Sequence, residues 1–467
     1  MLIGIIIFII FFFILALSRL DYALFFLIAA LPSYLIRFSI FGIPATILEA
    51  MILITFSVWF FKSWLPYFRD LIKKRVNRTP YPFSWEIISL IILSFIATGI
   101  ASFNLGALGI WKAYFFEPIL VFILIINLYS EKKEWQKILW ALLLSAASVS
   151  LMALWQKITG QFIFNEFWAN EATRRVVSWF GYPNAVGLYL APLVLVFLGW
   201  FFSLPHQTTL SKTFKKIIII LVIAGSLLSI YFARSEGALV GIIAGLFVFG
   251  LLAGRKQRIA TLILAFIVIG GVLFFTPTKN FVITKLTLND LSGQIRQRQW
   301  KETLLALTGT KIITGAGLNS YQKAVAPYHQ EGIFFNSDNL PNFDAQLRAS
   351  STLRAKYWQP VEIYLYPHNI LLNFWSEIGL LGALIFMWLI FKSIYISLKL
   401  TITYGREKHS EKYLALGLMS ALIAILVHGL VDVPYFKNDL AVMFWLLLAF
   451  IGLLNLNQKF GSKNIRN

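Results

Sequence analysis

The sequence contains no cysteine. Disulfides, thiolate metal sites and cysteine nucleophiles are therefore excluded, while the redox compartment stays open. Charge is also scarce: 13% of the 467 residues are charged, against 58% hydrophobic and 16% aromatic. A soluble domain carries about a quarter charged residues, so a water-soluble fold is not expected. Familiar catalytic signatures are missing too. There is no Walker A loop, no Gly-x-Gly-x-x-Gly ahead of a strand, no His-Glu-x-x-His, no Gly-x-Ser-x-Gly and no Asp-x-Asp. Nucleotide-driven chemistry and a zinc site are both disfavoured, and neither a metal nor a cofactor is expected.

What the chain does have is apolar runs long enough to cross a bilayer, which takes about 20 residues at helical rise. They recur from end to end. Spans are expected at 2–18, 20–37, 45–62, 86–103, 108–129, 136–155, 184–203, 216–233, 237–253, 259–276, 368–391, 413–430 and 439–456. The first run reads as a span rather than a signal peptide, because it lacks a basic leader and a small-residue cleavage site. The expected fold is all-α: one polytopic integral membrane domain over 1–467, with about 12 to 13 transmembrane helices.

The net charge of +20 would suggest nucleic acid in a soluble protein. Its distribution argues otherwise. Alternate connections are basic: Arg69, Lys73, Lys74, Arg75 and Arg78; then Lys132 and Lys133; then Lys212, Lys215 and Lys216; then Arg255, Lys256 and Arg258; then Arg406, Lys408 and Lys412. The positive-inside rule makes these loops cytoplasmic, leaving roughly +17 inside and about +3 outside. The basicity is an insertion signal, and the expected partner is a lipid bilayer rather than nucleic acid. The same orientation puts one long polar stretch, 277–367, outside the cytoplasm, with a shorter loop at 156–183. An insert of 91 residues in an economical bundle points to function. Within it a helix is expected from Gln294 to Leu307, lying on the membrane surface with Trp300.

Candidate site residues gather at these outer connections. His206 and His409 fall inside; His329, His368 and His428 fall outside. His368 stands in Tyr366-Pro367-His368-Asn369, where the loop re-enters the membrane, with Glu377 and Gly379 following on the next helix. An imidazole there can accept a proton from a sugar hydroxyl, or serve as an interfacial polar residue behind Pro367. Arg296 and Arg298 flank Gln297 ahead of Trp300, and Arg174 and Arg175 stand in tandem in the shorter loop. Guanidinium groups suit either a pyrophosphate leaving group or lipid headgroups. Arg234 and Glu236 interrupt an apolar run, which costs free energy unless they pair or face a polar cavity. Asp432 with His428, and Glu117 with Lys112, read as structural pairs.

Four segments in order resemble the O-antigen ligase and polymerase family, together covering about residues 175–385. Phe180-Gly181-Tyr182-Pro183-Asn184 is similar to the family's Phe-x-x-Pro-Asn, and Ser235-Glu236-Gly237-Ala238-Leu239 to Ser-Arg-Gly-Ala-Leu. Arg296 to Trp300 followed by Gly315-Ala316-Gly317 is similar to Arg-x-x-x-Trp and Gly-x-Gly. His368-Asn369 followed by Glu377, Gly379 and Gly382 is similar to His-Asn and Glu-x-Gly-x-x-Gly. The resemblance implies a GT-C-like fold and a glycosyltransferase of the inner (cytoplasmic) membrane, working without metal or ATP. Its donor would be a glycan on undecaprenyl pyrophosphate and its acceptor a lipid, a protein or a growing glycan. His368 would then be the base or the group that orients the acceptor, Arg296 would hold pyrophosphate, Arg234 would rank behind these two, and Arg298, Trp300, Arg174, Arg175, Asn184, Glu236, Asn369 and Glu377 would contact substrate. One departure stands out: Glu236 occupies the family's arginine position and Arg234 lies two residues earlier, about 200° away on a regular helix. Arg234 can substitute only where the backbone is not yet helical. A polysaccharide flippase or other secondary transporter is the alternative function, and it would place its polar and broken-helix positions at mid-bilayer.

Overall fold

The structure is a computed structural model that describes residues 2–40, 42–72, 81–205 and 210–464. Among these, ten helices are long and apolar enough to cross a membrane. They are Ile47–Arg69, Leu105–Leu128, Lys132–Thr159, Pro183–Ser203, Thr213–Ala233, Glu236–Ala253, Arg255–Phe274, Ile370–Arg406, Glu411–His428 and Asn438–Gln458. Three shorter apolar helices, Leu2–Ser18, Leu20–Ala29 and Ser84–Ile100, complete the set. The protein is an all-α, multi-pass membrane protein, and each of the thirteen expected spans falls on one of these helices.

The expected span at 20–37 is the one that shortens. Its helix stops at Ala29, and a 3-10 turn over Leu31–Leu35 carries Pro32 at its second position, whose missing N–H cannot extend the helical ladder. Ten residues rise about 15 Å, half of a hydrocarbon core. A small antiparallel hairpin follows, Arg37–Ile40 against Ile43–Thr46. Thr46 then caps the next helix: its hydroxyl accepts from the Glu49 N–H, and the Glu49 carboxylate accepts from the Thr46 N–H, at 3.2 and 3.3 Å.

The centre of the bundle is Asn438–Asn464 with Pro183–Ser203 and Glu411–His428, whose middles are buried nearly throughout. Gly199 and Gly417 meet where two of these helices cross. A Cβ on Gly199 would lie 2.8 Å from the Gly417 Cα, so the backbones approach as small-residue membrane contacts allow. Two ion pairs lie inside the spans, Glu49 with Lys112 and Glu86 with Lys392, so Lys112 is paired with Glu49 rather than with the expected Glu117. A π-helical turn at Lys112–Phe116 frees the Tyr114 carbonyl, which accepts from the Tyr435 hydroxyl at 2.6 Å.

At one end of the bundle, Lys132 pairs with Glu411 and Lys137 with Asp21, drawing basic connections together. Lys73, Lys74, Arg75, Arg78 and His206 lie outside the described residues. The opposite end carries the long insert. It contains helices Thr276–Leu286 and Leu291–Ala306, the second starting three residues before the expected Gln294. It also contains the antiparallel pair Gly332–Phe334 and Trp358–Pro360, and helices Phe343–Ala349 and Ser351–Tyr357.

The insert is fastened to the bundle through Gly379, which breaks the Ile370–Arg406 helix with φ 80° and ψ 171°. The Ala316 N–H donates to the Ser376 carbonyl at 2.7 Å, and the Asn319 N–H to the Glu377 carboxylate at 2.7 Å. Glycine is required on both sides of this seam. A Cβ on Gly315 would lie 2.8 Å from the Gly379 nitrogen.

Candidate functional site at the insert end of the bundle

The site is organised by one turn, residues 429 to 432, that follows the Glu411–His428 helix. Its carbonyls collect three donors from distant parts of the chain. The Ile370 N–H donates to Gly429 at 2.8 Å, the Asn369 amide to Leu430 at 3.1 Å, and the Arg296 Nε to Val431 at 2.8 Å. His368 precedes the first two of these residues in a left-handed conformation, φ 46°, and Asn369 caps the helix by accepting from the Leu372 N–H at 3.0 Å.

Arg296, Gln299 and Trp300 lie within about 100° of one another around their helix, because three and four residues make roughly one turn. All three face the re-entry segment. Trp300 Nε1 donates to the Pro367 carbonyl at 2.9 Å, and Gln299 Oε1 lies 3.1 Å from His368 Nδ1. The Arg296 Nη1 group also donates to Ser292 Oγ at 2.7 Å. The imidazole is boxed by Tyr364 and Tyr366, whose ring centres stand 5.1 and 5.3 Å from its own.

Behind this face, Asp432 is 2% exposed and accepts from the Asn184 amide at 3.2 Å. Arg175 donates to the Asn184 side-chain oxygen at 3.4 Å and to the Ala233 carbonyl at 3.0 Å. Tyr182 and Tyr366 share a hydroxyl contact at 3.3 Å. Burial lowers the His368 pKa from its ordinary value; nearby Asp432 opposes that shift and Arg296 adds to it. Burial also pushes the Tyr366 hydroxyl up to about 12, with Asp432 acting the same way. The imidazole is thus neutral near pH 7 and able to take up a proton.

His368, Arg296, Trp300, Asn369, Arg175 and Asn184 therefore meet in one network. Arg234 sits at its edge in a left-handed turn, φ 53°, between two helices, so the backbone there is not helical. Its exposed guanidinium is close enough to Arg175 to help burial lower that residue's pKa. Glu236 is directed to Lys285 at 2.7 Å, which also holds Asp290 at 2.8 Å.

Three expected residues make other contacts. Arg298 pairs at 3.0 Å with Glu302, which also meets His329 at 3.3 Å and accepts from the Gln330 N–H at 3.0 Å. Arg174 donates to the Lys157 carbonyl at 3.0 Å and packs over Gly160. Glu377 holds the insert through Asn319.

Sequence reading missed Gln299, although its position three residues after Arg296 was a periodicity signal. It also missed Lys437, whose ammonium lies over the rings of Phe180, Tyr182 and Tyr34 at 4.3, 5.0 and 5.3 Å. Burial lowers the pKa of that ammonium, and Asp439 and Asp432 oppose the shift.

Residues 219–387 match the family model described as O-Antigen ligase. This segment, rather than the whole chain, is similar to the O-antigen ligase family. The matched segment includes the Arg234 turn, the whole insert and the His368 re-entry; the Asn184 and Asp432 segments lie outside it. No curated protein matches the chain. The match, together with the membrane-crossing helices, supports a multi-pass membrane protein of glycan transfer of the ligase and polymerase kind.

Proposed function

We propose that the protein transfers an oligo- or polysaccharide from undecaprenyl pyrophosphate to an acceptor hydroxyl at the outer face of the cytoplasmic membrane. The observation that carries this reading is that Arg296 and Asn369, the residue after His368, bond carbonyls of one turn at 429–432, while Gln299 on the Arg296 helix meets the His368 imidazole. In the reaction, the acceptor oxygen forms a bond to the anomeric carbon as the bond from that carbon to the phosphate oxygen breaks. His368 accepts the hydroxyl proton, and undecaprenyl pyrophosphate departs with its negative charge facing the Arg296 guanidinium. The activated bond is already present in the carrier, so the family resemblance implies transfer without nucleotide or metal. Placement of the insert outside the cytoplasm rests on the distribution of Lys and Arg among the connections.

The test uses purified protein in nanodiscs with an undecaprenyl-pyrophosphate-linked glycan and candidate acceptors, without nucleotide or metal. Wild type should release carrier and lengthen the acceptor, and His368→Ala and Arg296→Ala should abolish transfer while inserting normally. Undiminished transfer by either variant refutes the assignment. Movement of the lipid-linked glycan across the bilayer without any transfer would instead identify a flippase.

A further inference from the structure

We infer that Gln299 is a positioning residue that fixes the tautomer of His368 and thereby sets which imidazole nitrogen takes the acceptor proton. The inference rests on the functional reading above, in which His368 is the base. His368 Nδ1 lies 3.1 Å from the Gln299 side-chain oxygen. An amide oxygen accepts and does not donate, so the proton of the neutral imidazole resides on Nδ1 and the lone pair is left on Nε2.

Gln299 is well placed to enforce this. It is 4% exposed, it stands on a helix pinned one residue on by the Trp300 bond to Pro367, and its helix is pinned three residues earlier by Arg296 to Val431. The left-handed backbone at His368 and the two flanking tyrosine rings restrict the imidazole from the other side. The Gln299 Nε2 group is buried with no hydrogen-bond partner among the described residues. A buried N–H pair left unpaired is costly, so an oxygen of the bound donor is its natural partner. The same amide then reads the base with its oxygen and the substrate with its nitrogen.

Two replacements separate this role from packing. Gln299→Leu keeps the volume and loses both contacts; its kcat should fall ten- to a hundredfold, as for other residues that orient a functional imidazole, and its KM for donor should rise. Gln299→Glu keeps an acceptor for the Nδ1 proton and is nearly the same shape. Its carboxylate favours the protonated ring, so the acid limb of the kcat profile should move up by about one pH unit, measured at saturating donor.

The His368→Ala variant is assayed alongside. If His368→Ala is inactive but both Gln299 variants keep wild-type kcat and an unmoved acid limb, the role assigned to Gln299 is wrong and the transferase reading stands. If His368→Ala retains transfer, both fall. Thermal midpoints matching wild type for Gln299→Glu exclude misfolding as the source of a shifted limb.

Discussion

Replacing Gly379 by Ala should undock the insert without unfolding the bundle. The backbone at Gly379, φ 80° and ψ 171°, lies in a region essentially confined to glycine, and forcing a side chain into such a conformation costs about 1–3 kcal/mol. The new Cβ would also stand 2.9 Å from the Thr314 carbonyl carbon and 3.0 Å from its oxygen. Overpacking of that kind adds about 1–3 kcal/mol. Together the two effects make about 2–6 kcal/mol. The cheapest relief is for the 311–319 strip to move away, giving up the bonds from Ala316 to Ser376 and from Asn319 to Glu377.

Hydrogen exchange in detergent, read on peptides covering 308–320, should speed up about 30-fold or more, the factor that corresponds to roughly 2 kcal/mol. Transfer should fall with it, because the same insert carries Arg296. Gly270→Ala, where a Cβ meets nothing within 4 Å, is the control and should be neutral. Exchange within twofold of wild type for Gly379→Ala would refute the argument that this seam holds the insert.

Three further outcomes are expected. The cysteine-free sequence allows single-site labelling: Ala345→Cys in the insert should react with an impermeant maleimide on intact cells, and Arg406→Cys should react after lysis. The reverse pattern would overturn the proposed orientation. Arg298→Ala should loosen the insert by about 1–3 kcal/mol, since Glu302 is 2% exposed and loses a charged partner, and Arg298→Ala with Glu302→Gln should recover much of that in exchange experiments. Unchanged exchange with lost transfer would instead make Arg298 a substrate contact. Asp338 is held at about 2 by hydrogen bonds from Lys356, Tyr357 and Ser337. Its folded pKa lies below the ordinary 3.8, so its contribution is present above that value and disappears as pH falls through about 2. Exchange across 336–357 should therefore be faster in Asp338→Asn than in wild type at pH 6, and the two should converge near pH 2.

The spans were legible because a bilayer leaves a chain few alternatives: each crossing must be a long apolar helix, and hydropathy counts exactly that property. The exception at 20–37 is instructive. Its composition is mostly apolar, and the shortening comes at Pro32, which hydropathy does not weigh as a helix breaker. The site was legible in part. Local patterns around His368 and Arg296 pointed to both residues, but the turn that joins them belongs to a segment 63 residues after His368, where no local pattern marks a carbonyl as an acceptor. Asp432 and His428 drew attention as a pair, yet the Asn184 contact that ties Asp432 to the shorter loop spans 248 residues. Glu377 and Gly379 were recognised as a motif; that one accepts a backbone N–H and the other turns left-handed depends on the insert folding back over them.

The Arg255–Phe274 helix has no buried residue among the described ones and packs chiefly against Glu236–Ala253 and Thr276–Leu286. Acyl chains therefore surround most of its circumference, and little besides oiliness and length is asked of its side chains. A lipid tail lying along this flank would displace fluid lipid rather than fitted protein.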